Sequence, residues 1–182
     1  MQTNHGISIL YSIAWRTKEY AKKVVYGDSL YSFQLLLSYC YMLERENPRM
    51  VTKVQTNEEN RFEYLFMALG LCISRFRACR PAIAIDETHL KGKYKGALYV
   101  ATVMDGNEQI FPIAFGLADL KNDRGWKWFL KELHNVIGSP RDFIFIFDRH
   151  ISIKNAIEEV FLDDSHGLCG FHMKQNLEKK IQ

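Results

Sequence analysis

The sequence predicts an α/β fold, a mixed sheet of three antiparallel strands plus parallel strands with flanking helices, preceded by a helical region. Three observations carry this prediction. Ala82-Ile83-Ala84-Ile85 and Phe143-Ile144-Phe145-Ile146-Phe147 are short, wholly apolar runs of the kind that form strands buried on both faces. The first run opens a series of strand-like segments separated by turn residues, and a stretch with helical spacing lies between the two runs. Each run ends in an aspartate, Asp86 in one case and Asp148 in the other.

The composition suits such a fold. Of 182 residues, 47% are apolar, and 12 Phe, 9 Tyr and 3 Trp can fill a core, which excludes a disordered chain. The net charge of +3 is too mild to announce a nucleic-acid partner. Its distribution says more, since residues 1–80 carry 11 Lys+Arg against 7 Asp+Glu and the remainder 13 against 14. The first half is therefore the better candidate to face a polyanion. Cys40, Cys72, Cys79 and Cys169 form no dense framework, so reduced thiols in an intracellular protein are expected. No signal peptide is read at the start, and the longest apolar runs fall well short of the ~20 residues of a membrane helix.

Two regions are expected, a helical one over 1–60 and an α/β core over 61–182. Ile7 to Tyr26 and Asp28 to Glu46 both place apolar residues at helical spacing, with Gly27 between them and Asn47-Pro48 as the stop. Met50 to Thr56 alternates imperfectly and suits a short strand. Arg61 to Arg80 fits either a helix or a strand followed by a helix. Its basic end, Arg75-Phe76-Arg77-Ala78-Cys79-Arg80, reads as a solvated helix terminus, where positive charge is favourable. After Pro81 the pattern is more regular. The first apolar strand is followed by the turn Lys91 to Gly96, the strand Ala97 to Met104, the turn Asp105-Gly106 and the strand Gln109 to Leu117, an antiparallel meander. Asn122 or Asp123 caps a helix bearing Trp126, Phe129, Leu130 and Leu133, which Gly138-Ser139-Pro140 ends. The second apolar strand, a helix over Ser152 to Phe161, a short strand over His166 to Gly170 and a helix over His172 to Ile181 complete the chain.

Taken singly, Asp86 and Asp148 each read as a turn residue. Taken together they suggest a site. If the second apolar strand returns through a helix to lie parallel beside the first, both strand ends fall on one edge of the sheet, with the strands about 4.8 Å apart. Two carboxylates so placed suit Mg²⁺ or Mn²⁺, hard cations that take oxygen ligands and support phosphodiester chemistry. Lys91, Lys93 and Lys95, spaced by two in the adjoining turn, either contact DNA phosphates near that site or form a solvated hairpin. Trp126 and Trp128 at a helix start are candidates for stacking on a base, although their spacing commits at least one to the core.

Several stretches also resemble one family. Asp86-Glu87-Thr88-His89-Leu90-Lys91-Gly92-Lys93-Tyr94, Gln109-Ile110-Phe111-Pro112-Ile113-Ala114-Phe115-Gly116 and Trp126-Lys127-Trp128-Phe129-Leu130 look like the plant Mutator-like element (MULE) transposase domain. So do Asp148-Arg149-His150 and Gly167-Leu168-Cys169-Gly170-Phe171-His172-Met173-Lys174-Gln175-Asn176-Leu177, all in the same order. The resemblance implies an RNase H-like fold and a DDE-type transposase that cuts and joins DNA with divalent metal in the nucleus. Asp86 and Asp148 match the family's first two catalytic acids, which would also be the metal ligands. The third, a glutamate, would lie beyond a mostly helical insertion and past Gln182, so the chain alone is expected to be inactive. The alternative implied by the same resemblance is a domesticated, noncatalytic DNA-binding or transcriptional regulator. Transposon-end DNA is the expected partner, with a homo-oligomer left open. Cys169-x-x-His172 recurs in the family. It is half of a zinc site, and a thiol hydrogen-bonded to a histidine is favoured over zinc.

Overall fold

Alternation along the strand Ala97–Met104 sets where the core lies. Ala97, Tyr99, Ala101 and Val103 are buried, whereas Leu98, Val100, Thr102 and Met104 are half-buried. One face of the sheet therefore carries the main core. The structure, a computed structural model, describes residues 16–17, 20, 35–91, 96–118, 123–138, 144–148 and 150–161, and the backbone of 165–168. The chain divides into two compact units, 1–39 and 40–182. In the first, residues 16, 17 and 20 are helical, and most of the helix expected over Ile7 to Tyr26 lies outside the described residues. Helix α1 (Leu36–Glu46) runs across the division between the units.

The second unit is built on a seven-stranded mixed sheet. Its strands are β1 (Val51–Thr56), β2 (Phe62–Ala68), β3 (Ala82–His89), β4 (Ala97–Met104), β5 (Ile110–Ala118), β6 (Ile144–Phe147) and β7 (Ser165–Leu168), in the spatial order β1-β2-β5-β4-β3-β6-β7. The meander β3-β4-β5 is antiparallel, and β6 and β7 add in parallel beyond β3. This is the mixed architecture expected, compatible with an RNase H-like fold. The segment Arg61 to Arg80 resolves as a strand followed by short helix α2 (Gly70–Arg75) and a 3-10 turn (Phe76–Ala78). Of the two readings the sequence left open, the strand followed by a helix is the one observed, because Phe62, Leu65 and Phe66 lie in a strand that pairs on both edges, with β1 and with β5.

Two local details fix this part of the sheet. Asn57 accepts hydrogen bonds from the backbone N–H groups of Glu59 and Arg61 at 3.0 and 2.9 Å, and Asn60 takes the left-handed backbone that closes the β1–β2 turn. Pro112 sits in a central strand although it cannot donate to the ladder. The register of β4 and β5 shifts beside it, from Ala101↔Ala114 to Thr102↔Pro112, so Ile113 is the extra residue. Its carbonyl accepts the Leu69 N–H at 3.3 Å, and Ile113 and Ala114 are buried in succession.

Helix α3 (Asp123–Ile137) lies on the core face with Trp126, Phe129, Leu130 and Leu133 buried, the spacing its sequence predicted. Tyr99 lies between Trp126 and Phe129, with ring centroids at 4.2 and 5.7 Å, and Phe66 meets Phe129 at 5.7 Å. Helix α4 (Ile151–Val160) packs beside α3. Ser152 donates a short hydrogen bond to Asp123, and Lys127 pairs with Glu159. No described helix is long and apolar enough to cross a membrane.

Gly138 follows α3 with φ +79° and donates its N–H to the His134 carbonyl at 2.8 Å. Nothing lies within 4 Å of a Cβ built there. Gly138→Ala should therefore cost only the left-handed backbone strain, about 1 kcal/mol. A urea titration of both proteins reads it, with an unchanged m-value expected.

Candidate functional site

Asp86 is placed by β3 and Asp148 by the end of β6. The parallel pairing runs Ala82↔Ile144, Ile83↔Phe145 and Ala84↔Ile146. The pairing ends there, and β6 stops at Phe147; continued two residues at the same offset, it would set Asp148 opposite Asp86 across a strand spacing of about 4.8 Å. Paired residues of parallel strands share a face, and here it is the one opposite Ile83, Ile85 and Phe145, which are buried beneath the helices. The backbone thus places the two sequence-predicted acids at the same end of neighbouring parallel strands.

Their setting differs from expectation in one respect. β3 does not end at Asp86 but continues to His89, paired throughout with β4 as Asp86↔Val100 to His89↔Ala97. It is β6 that stops, at Phe147, so Asp86 faces the gap beyond a strand end rather than being at one itself. Nor is β3 buried on both faces, since Ala82 and Ala84 are half-buried.

Asp86 is exposed and Asp148 half-buried. One oxygen of each is held by a nearby backbone N–H. Asp86 Oδ1 accepts from Glu87 at 2.8 Å, and Asp148 Oδ1 accepts from His150 at 3.1 Å. These bonds limit side-chain rotation and leave the second oxygen of each carboxylate without a hydrogen bond among the described residues. Paired hard oxygens of this kind suit Mg²⁺ or Mn²⁺ better than a softer metal. Among the described residues no group of three His, Cys, Asp or Glu side chains stands together.

Glu87 is on the other face of β3 and does not join its neighbour. Its Oε2 accepts the indole N–H of the buried Trp126 at 3.1 Å. That contact ties β3 to α3 one residue from Asp86, a role the sequence did not disclose. Trp126 is fully buried, which overturns the idea that it stacks on a base. Trp128 is half-buried and stacks on Tyr64 at 5.2 Å. His150 was also missed. It precedes α4, donates its backbone N–H to Asp148, and has a buried Nδ1 with no hydrogen-bond partner among the described residues.

Lys91 is exposed, two residues beyond β3 and about 16 Å of extended chain from Asp86. Lys93, Lys95, Arg149, Cys169, His172 and the helix expected over His172 to Ile181 lie outside the described residues. Burial pushes the thiols of Cys40, Cys72 and Cys79 above their ordinary value of 9.0. At Cys40 a Thr52 hydrogen bond opposes the rise and Glu44 adds to it; at Cys79 Asp105 and Cys72 add to it. All three are therefore thiols rather than thiolates at neutral pH and are not ready nucleophiles.

The family model of the MULE transposase domain matches residues 82–176, from the first residue of β3 through both aspartates. Three curated proteins of Arabidopsis thaliana are similar. FAR1-RELATED SEQUENCE 4 is 20% identical over 150 residues, which is 81% of this chain and 20% of that protein. FAR-RED IMPAIRED RESPONSE 1 is 22% identical over 153 residues, 83% of this chain and 18% of that protein. FAR1-RELATED SEQUENCE 5 is 25% identical over 150 residues, 81% and 19% respectively. The chain spans about a fifth of the length of these relatives. With more than half of its residues matched in one span that begins at β3 and contains the paired acids, the chain belongs to the MULE transposase domain family.

Proposed function

We propose that Asp86 and Asp148 are two of the carboxylates of a DDE-type site for metal-dependent DNA strand cleavage and transfer. The observation that supports this best is the parallel β3–β6 register, which, continued two residues past its last pair, would align two hard oxygen donors where one strand stops. A bound Mg²⁺ or Mn²⁺ would supply Lewis-acid activation of an attacking water or 3′-hydroxyl and neutralise charge on the leaving oxygen. The chain's own part is to position. The Glu87 and His150 N–H groups orient the two carboxylates, and the Glu87–Trp126 bond anchors β3 on the core.

Two carboxylates leave a hard cation short of its usual six or more ligands, and no third acid stands beside them among the described residues. This polypeptide should therefore bind metal weakly and cut DNA little on its own. Supercoiled plasmid incubated with the protein and Mn²⁺ should stay supercoiled. Abundant nicking that disappears in Asp148→Asn would overturn this, since it would mean that the site is complete.

The second reading is a noncatalytic DNA-binding regulator. The naming of one relative for an impaired far-red response rather than for transposition favours it. DNA binding that is independent of metal and unchanged in Asp86→Asn would select it. In either reading the partner is DNA and the compartment the nucleus, with transposon ends as the substrate of the enzymatic reading. Lys91, Lys93 and Lys95 would contact its phosphates, and light scattering would read whether the chain self-associates. Zinc at Cys169 and His172 forms no part of this proposal.

A further inference from the structure

The basic end of the segment before β3 is a solvated helix terminus, as its sequence suggests, and further arginines stand close to it. Arg75 and Arg77 are exposed, and neither makes an ion pair or side-chain hydrogen bond among the described residues. A third arginine is brought to them from a distant part of the sequence. A Cβ on Gly70 would lie 2.1 Å from the Pro48 carbonyl oxygen and 2.6 Å from the Arg49 carbonyl carbon, so only glycine lets the 48–50 backbone rest on the start of α2. Arg49 itself takes a left-handed backbone, φ 65°. Its Nη1 donates to Ser74 Oγ at 3.0 Å, and that hydroxyl donates to the Gly70 carbonyl at 2.7 Å. The remaining donors of this guanidinium are not engaged among the described residues.

Arg80 completes the corner, where it pairs with Glu108 at 3.0 Å with both side chains largely exposed. The other nearby acid, Asp105, uses its Oδ1 to accept from the backbone of Asn107 and Gln109. Interaction with a helix C-terminus accounts for one such cation, not for four arginines at one end of the sheet. Their fork-shaped donors match phosphate oxygens.

We infer that Arg49, Arg75, Arg77 and Arg80 form a second phosphate-backbone contact for duplex DNA, at the end of β3 remote from Asp86. This rests on the reading of the chain as a DNA-handling protein. From Ala82, where β3 begins just after Arg80, to Asp86 is four residues of extended chain, about 13 Å, or roughly four base-pair steps. One duplex arm presented to the paired acids can therefore be gripped at the arginine corner within about half a helical turn. The contact carries no base readout, so it orients the duplex without choosing a sequence.

The test is fluorescence anisotropy of a labelled DNA duplex with the whole chain, between about 50 and 200 mM salt. Arg75→Gln/Arg77→Gln should reduce the slope of log affinity against log salt by about 2, equally for unrelated DNA sequences, with an unchanged melting temperature. Arg75→Lys/Arg77→Lys should keep the slope. Lys91→Gln should lower it separately, by about 1. A wild type that binds DNA while the glutamine double variant keeps both affinity and slope overturns the arginine corner alone. A wild type with no salt-dependent binding overturns the DNA reading as well. A slope change seen with duplex RNA but not with DNA overturns the assignment of DNA as the ligand.

Discussion

Asp86→Asn/Asp148→Asn should show no detectable Mn²⁺ binding by calorimetric titration, against a roughly millimolar affinity for the wild type, the range of sites with few ligands. Each single variant should lose most of that affinity, because neither carboxylate alone holds a hydrated divalent cation. The fold should survive. Asparagine Oδ1 still accepts from Glu87 and His150, and both positions lie at the edge of the core rather than in it. Removing two like charges from adjacent strands also relieves repulsion, so the melting temperature should hold or rise slightly. Equal Mn²⁺ affinity in the wild type and all three variants would rule out a shared site.

The largest stability effect is expected at Phe129. It is fully buried and meets Phe66, Tyr99 and Trp126, with centroids 5.7 to 6.0 Å away. Phe129→Ala should cost about 3–5 kcal/mol, enough to threaten a domain of ordinary stability. The opposing position gives the result a second reading. A Cβ on Gly116 would stand 2.5 Å from Phe129 Cδ2 and 3.2 Å from Tyr99 Cδ2. Gly116→Ala alone should cost about 1–3 kcal/mol through overpacking. In the Phe129→Ala background the added methyl enters the space the ring has left, so the two costs should not add. Denaturant melts of the four proteins measure this. Strict additivity would show that the ring and the glycine do not share one packing site.

The paired acids were legible because two features coincided, wholly apolar runs and an aspartate directly after each. The helix spacing of Trp126, Phe129, Leu130 and Leu133 was equally readable, since a one-sided helix needs little context. Phe62–Ala68 was readable only as one of two alternatives, because an aromatic-rich strand paired on both edges has no polar face to reveal its period. Asp86 was taken as a strand terminus because the polarity changes there. Hydrogen bonding to β4 carries the strand on to His89, and pairing of that kind leaves no mark on hydropathy. The Glu87–Trp126 bond and the meeting of Arg49 with Ser74 join residues 39 and 25 positions apart, contacts that no local pattern encodes.

The 62-residue separation between Ala82 and Ile144 has a kinetic consequence. Parallel pairing across so long a loop is entropically slow and follows formation of the local hairpins. Asp86 and Asp148 therefore meet only once the crossover through α3 has closed. A cation held by both, as the proposed site requires, would recognise that closed state and no earlier one, so added Mn²⁺ should slow unfolding while leaving the early folding steps untouched.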